Sequence, residues 1–125
     1  MKRDWDTMRS VLLEVEALSR EAAPKFAYFA PYSSDEPEAI RAVHALMLHE
    51  CGYLAGHRYK TLSEGEYLKG PTLTMAGADL LDSIREETVW VKVKDIAKEK
   101  GVGVAFDSLG ALVKLAIAAL LAKAA

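Results

Sequence analysis

Three histidines, a glutamate and the lone cysteine fall close together in this chain, as His44, His49, Glu50, Cys51 and His57. Imidazole nitrogens, thiolates and carboxylates are the ligands zinc takes, so a metal site is the first chemistry to weigh. On a helix each residue turns about 100°, which sets His44 and His49 roughly 140° apart around the axis. They do not converge, and the Cys-x-x-Cys and His-Glu-x-x-His spacings are missing. The spacing instead predicts His44 as a partly buried, hydrogen-bonded side chain beside Val43 and Met47, with His49 and His57 exposed. A nucleophilic Cys51 needs an exposed thiol of lowered pKa. Its place on an apolar helix face, at a C-terminus whose negative dipole end opposes a thiolate, predicts packing.

Two other patterns carry less. Asp79, Asp82, Glu86 and Glu87 line up carboxylates that could do acid–base work, but Arg85 interleaves with them as on a solvated helix face. Gly101-Val102-Gly103 precedes a helix without the further glycine, the lysine or the strand of a phosphate loop, so it reads as a linker. No constellation of catalytic type remains, and the chain is expected to be no enzyme and to need no cofactor.

These residues must be held by elements whose periodicity is legible. Trp5, Met8, Leu12, Val15 and Leu18 recur at helical steps over residues 4–20, with Asp4 as N-cap. Residues 25–32 hold Phe26, Tyr28, Phe29 and Tyr32 in a run suited to a short strand. Ser34 or Asp35 is the expected cap of a second helix, with Pro37 in its first turn and Ile40, Val43, His44, Met47, Leu48 and Cys51 on one face. Gly52 marks its end. Residues 53–60 and 67–73 flank a polar, Gly-containing loop and predict a hairpin. Thr74 is placed to cap a helix with Leu80, Leu81 and Ile84. Val89, Val93 and Ile96 continue at helical steps to a stop at Gly101, although Val89 to Lys94 also alternates like a strand. A last helix is expected from about Ser108, capped by Asp107.

A chain of 125 residues, 51% of them hydrophobic, fills one domain and its core without staples. The single cysteine gives no sign of an oxidising compartment. Acids follow the first basic residues where a secretory signal needs an apolar stretch. The apolar segment 109–122 is broken by Lys114 and is short of the ~20 residues a bilayer takes. A cytoplasmic protein with no membrane association is the expectation.

The order helix, strand, helix, two-stranded hairpin, then three helices is that of an α+β, mostly helical, winged-helix-like domain. Residues 1–88 form its core and 89–125 a C-terminal helical extension within a single domain 1–125. The hairpin is then the wing, and residues 37–51 occupy the recognition-helix position. A DNA reader presents basic and amide side chains there. Only Arg41 does so, against Glu38 and Glu50, with Asp35 and Glu36 just before it. The wing offers His57, Arg58, Lys60 and Lys69, but Glu64 and Glu66 sit near its tip. The net charge of −2 also disfavours phosphate binding. No separate positioning helix is visible between Arg20 and Ser34. Lys92, Lys94, Lys98 and Lys100, diluted by Asp95 and Glu99, read as a solvated helix face.

The final helix is the stronger lead. Leu109, Leu112, Val113, Ala116, Ile117, Leu120 and Leu121 make it apolar around most of its circumference. Such a helix either packs wholly into its own domain or pairs with a second copy.

Three segments carry a resemblance: the opening Met1-Lys2-Arg3-Asp4-Trp5-Asp6 with its following helix, residues 44–54, and residues 73–94. They resemble the phage- and prophage-borne family catalogued as domain of unknown function 2513. The matching positions include His44, Glu50, Gly52, Leu73, Thr74, Gly77, Asp79, Leu81, Asp82, Ile84, Arg85 and Trp90. Met75, Ala78 and Cys51 depart from the family's usual Trp, His and Ala. The resemblance implies a winged-helix-like fold and a mobile-element origin, and no activity. The resulting expectation is a non-catalytic interaction module, homodimeric, binding a protein partner such as a host regulatory or defence complex. The alternative is a DNA-binding winged-helix regulator.

Overall fold

A computed structural model describes residues 2–124. The chain divides into two compact units, Met1–Leu80 and Leu81–Ala125. The first begins with α1, Trp5–Ala17, whose N-cap is Asp4: its carboxylate accepts the Asp6 N–H at 3.3 Å. Trp5, Met8, Val11, Leu12 and Val15 are its buried stripe. The helix ends three residues earlier than its periodicity predicts. Leu18 turns to an extended conformation, and Ser19 starts a new turn by accepting the Ala22 N–H at 3.0 Å. A 3-10 turn, Ala23–Lys25, follows.

Strand β1, Ala27–Pro31, leads to α2, Pro37–Glu50. The cap position falls at Glu36, one residue later than expected, and Ser34 instead accepts the Glu36 N–H at 3.2 Å to shape the approach. Gly52 takes φ +84° just past the helix, as a C-terminal stop requires. Strands β2, Leu54–Lys60, and β3, Gly65–Leu73, make the expected hairpin. The sheet, however, has three strands, because β1 lies antiparallel on β3 to give the order β1-β3-β2. Period-2 alternation explains the capture: Tyr28 and Ala30 are buried on the side that carries Leu68, and α2 packs over that side. Gly65 permits the pairing, since a Cβ there would stand 2.2 Å from the Ala30 carbonyl oxygen. In β2 a register shift between Ala55 and His57 centres on Gly56, with φ +147°, the mark of a bulge.

Thr74 caps α3, Met75–Ile84, by accepting the Gly77 N–H at 3.0 Å, and its own hydroxyl donates to the Gly52 carbonyl at 2.6 Å. The unit boundary falls inside this helix. In the second unit α4, Glu87–Glu99, resolves the strand-or-helix ambiguity in favour of helix. Its cap is Glu86, whose carboxylate accepts the Val89 N–H at 3.0 Å. Trp90, Val93, Ile96 and Ala97 are its buried face. After Gly101, at φ +68°, α5 runs Phe106–Ala124 and packs against α4. The cap expected of Asp107 rests on a side chain outside the described ones. The helix starts one residue before it, and Ser108 reaches back to accept the Ala105 N–H at 3.2 Å.

Candidate binding faces

Arg41 points inward across α2 to α1. Its Nε and Nη2 approach Glu14 Oε1 at 3.1 Å, Nη1 donates to Ser10 Oγ at 2.8 Å, and Nη2 reaches the Ser10 carbonyl at 3.2 Å. The guanidinium fork is thus spent on fastening one helix to another. The same Glu14 oxygen accepts the Tyr28 hydroxyl at 2.5 Å, which ties β1 into the clamp. Arg41 is the residue that the DNA-binding alternative would use to read bases, and its donors are occupied by groups 27 and 31 residues away. More broadly, α2 buries Ala39, Ala42, His44, Ala45, Leu46 and Leu48, and Glu38 and Glu50 are exposed. It is a core helix.

Burial, with the hydrogen bond to Glu14 and its charge behind it, pushes the Tyr28 hydroxyl well above the ordinary tyrosine value. Since the folded state holds this proton more tightly than the unfolded chain, its stabilisation is complete below about pH 10 and declines as pH rises beyond it. Tyr28→Phe is therefore expected to cost about 1 kcal/mol at neutral pH and to flatten the alkaline fall in stability. Urea unfolding of both proteins at pH 8 and above pH 10 checks this; parallel pH profiles would refute it.

His44 is fully buried. Its Nε2 accepts the Asp4 N–H at 2.9 Å and its Nδ1 lies 2.7 Å from the Ile40 carbonyl. The geometry makes it a neutral Nδ1–H tautomer that joins α2 to the entrance of α1, a tighter version of the packing role its spacing predicts. His49 departs from expectation: it is half-buried, and its Nδ1 has no hydrogen-bond partner among the described residues. Cys51 is exposed rather than packed, because α2 closes at Glu50 and the chain turns away. No group of three or more metal-type ligands assembles among the described residues.

The wing cations fall on two faces of the sheet. On the inner face, toward α2, Arg58 Nη2 meets Glu66 Oε2 at 3.0 Å and Lys60 Nζ meets Glu66 Oε1 at 3.4 Å. One carboxylate thus pairs with two of the four wing residues expected to meet phosphate. Arg58 and Glu66 also line a cleft of about 380 Å³ with Asp35 and Glu50, an acid-rich setting.

On the outer face, the register aligns Ala27, Lys69 and His57 in one row, and Phe29, Tyr67 and Tyr59 in the next. The three rings of that second row stack: Phe29 on Tyr67 at 4.4 Å between centroids, and Tyr67 on Tyr59 at 4.9 Å with planes 12° apart. His57 tilts against Tyr59 at 5.5 Å. His57 and Lys69 are exposed, and with Arg20, Ala23, Pro24, Gly70 and Thr72 they line a shallow cleft of about 510 Å³. Arg20 was not among the expected site residues, because nothing in its own segment points at the wing.

In α5 the expected interface set splits. Leu109, Leu112, Val113 and Ala116 are buried within the chain, as the internal-packing alternative has it for this side of the helix. Leu120 is intermediate, whereas Ile117 and Leu121 are exposed, joined by Leu115 on the far flank. Between them the outward arc carries Gly110, Ala111, Ala118 and Ala122, and from Gly110 to Ala122 its one charge is Lys114.

The fold and these faces define an α+β, mostly helical protein built on a three-stranded antiparallel sheet with five helices among the described residues. Residues 2–103 match the family described as "Hypothetical protein (DUF2513)", and the chain belongs to that family. An uncharacterized protein of Haemophilus influenzae is 30% identical over 122 residues, covering 98% of this chain and all of that protein. No solved structure gives a significant match. No described helix is long and apolar enough to cross a membrane.

Proposed function

We propose that the protein is a non-catalytic interaction module, dimeric through α5, that acts by binding a protein partner. The mobile-element setting implied by its family resemblance suits a host regulatory or defence complex as that partner, and a cytoplasmic place of action. The observation that carries the reading is the outward arc of α5: Leu115 is 46% exposed, Ile117 43% and Leu121 66%, with alanines between them. An apolar arc of this kind is costly to leave in water, and small residues let a second helix approach closely. A symmetric pairing of α5 with its copy covers both arcs at once.

Support for a non-catalytic role comes from the polar groups themselves. Arg41, Glu14, Tyr28 and His44 are engaged in joining α1, α2 and β1. The N-terminal unit has the helix–strand–helix–hairpin order of a winged helix, shortened by its positioning helix, with sheet order β1-β3-β2. The duplex-reading alternative loses support on two counts: α2 is a core helix with an acidic exposed side, and Glu66 holds Arg58 and Lys60.

Light scattering behind size-exclusion chromatography tests the proposal. The wild-type protein is expected at twice the chain mass, and Leu121→Lys with Ile117→Glu at the single-chain mass, with an unchanged circular dichroism spectrum. A monomeric wild type at micromolar concentration overturns the dimer.

A further inference from the structure

We propose that the outer face of the sheet binds an unpaired nucleic-acid strand, one base continuing the aromatic stack at Tyr59 and a phosphate held by Lys69, His57 and Arg20. The site is separate from α5 and does not depend on the dimer reading.

The first observation is the shape of the aromatic row. Phe29, Tyr67 and Tyr59 stack in one column across the three strands, so the rings are preorganised and only Phe29 and Tyr59 have a face outside the column. Strands β1 and β2 are the two sheet edges, so these ends lie at the margins of the platform. Tyr59, 38% exposed, closes the row at β2. A planar base can extend such a column with no loss of side-chain freedom, since the rings are already held. Every base has a π face, so the contact is tolerant of sequence.

The second observation is charge. Lys69 and His57 pair across the strands one row away from Tyr67 and Tyr59. Two residues along a strand is about 6.6 Å, the scale separating a stacked base from its own phosphate. Arg20 joins them around the shallow cleft, whose lining contains no carboxylate. Neither Arg20 nor Lys69 has an ion-pair partner among the described residues, in contrast to Arg58 and Lys60, which share Glu66. The cations thus fall into two groups, those toward α2 ion-paired with Glu66 and those beside the rings without an ion-pair partner among the described residues. Rings and free cations together suit a ligand that alternates flat apolar faces with anions. An unpaired strand offers both, whereas a duplex hides its base faces in its own stack.

Fluorescence anisotropy with a labelled thymidylate strand of about 12 nucleotides, a duplex of equal length and inorganic polyphosphate tests the assignment. The strand is expected to bind in preference to both, with affinity falling as salt rises at a slope of about −0.7 per phosphate neutralised. Tyr59→Ala weakens strand binding about tenfold or more, Tyr59→Phe preserves it, and Arg20→Glu with Lys69→Glu abolishes it. Absent binding at low salt, equal affinity for duplex or polyphosphate, or an unchanged affinity in Tyr59→Ala each overturns the proposal. Light scattering on the same samples reports the dimer independently, so failure of one reading is separable from failure of the other.

Discussion

Gly77→Ala is expected to lower the unfolding free energy by about 3 kcal/mol or more, the upper end of what overpacking costs. A Cβ at position 77 would stand 1.9 Å from the Tyr53 carbonyl oxygen and 2.9 Å from its carbonyl carbon. Neither side can yield cheaply. The Tyr53 N–H donates to the Leu48 carbonyl at 2.9 Å, and its carbonyl accepts the Thr74 N–H at 3.3 Å. Thr74 in turn bonds Gly52 and caps α3. The first turn of α3 is therefore bolted to the chain that joins α2 to β2, and only a hydrogen fits between them. Urea unfolding followed by circular dichroism measures the loss. A midpoint within error of the wild type would mean that α3 slides without cost, and the close approach would lose its structural meaning.

His44→Phe ranks next, at about 2 kcal/mol. Phe keeps an aromatic ring without polar atoms but is larger, so the cost combines two lost hydrogen bonds with some overpacking of a fully buried site. The Asp4 N–H loses its acceptor and the Ile40 carbonyl its donor, both at a site closed to water. His44→Ala adds an unfilled cavity and should exceed it. The tautomer gives an independent check, because nitrogen NMR of the wild-type protein should find the proton on Nδ1. A proton on Nε2 contradicts the assigned bond, since the Asp4 amide cannot then donate there.

Local pattern and long-range pairing were unequally legible. The helical stripes of Trp5, Met8, Leu12 and Val15, and of Val93 and Ile96, follow from spacing alone, as does the stop at Gly52. Strand β1 was visible as a run of aromatic residues, but its docking on β3 was not, because alternation specifies a face and leaves the neighbour open. The engagement of Arg41 was the least legible contact. Its segment says only that it is basic and on the polar side of a helix, and the carboxylate that claims it sits 27 residues earlier. Cys51 shared the apolar register of α2, but the helix had already ended. Tyr59, Tyr67 and Phe29 each occupy a strand position, and nothing short of the register brings them into one column. In α5 the apolar composition was plain, whereas which side is covered depended on packing with α4.

The bulge at Gly56 also guards an edge of the sheet. Both outer strands of the sheet have unpaired backbone groups along one side, the usual template for runaway strand addition. β2 is bent at Gly56 and bears Arg58 and Lys60, so an incoming strand would lose register and meet charge. β1 is five residues long and ends in Pro31, which has no amide hydrogen to offer. Strand addition is thus disfavoured at both margins of the sheet.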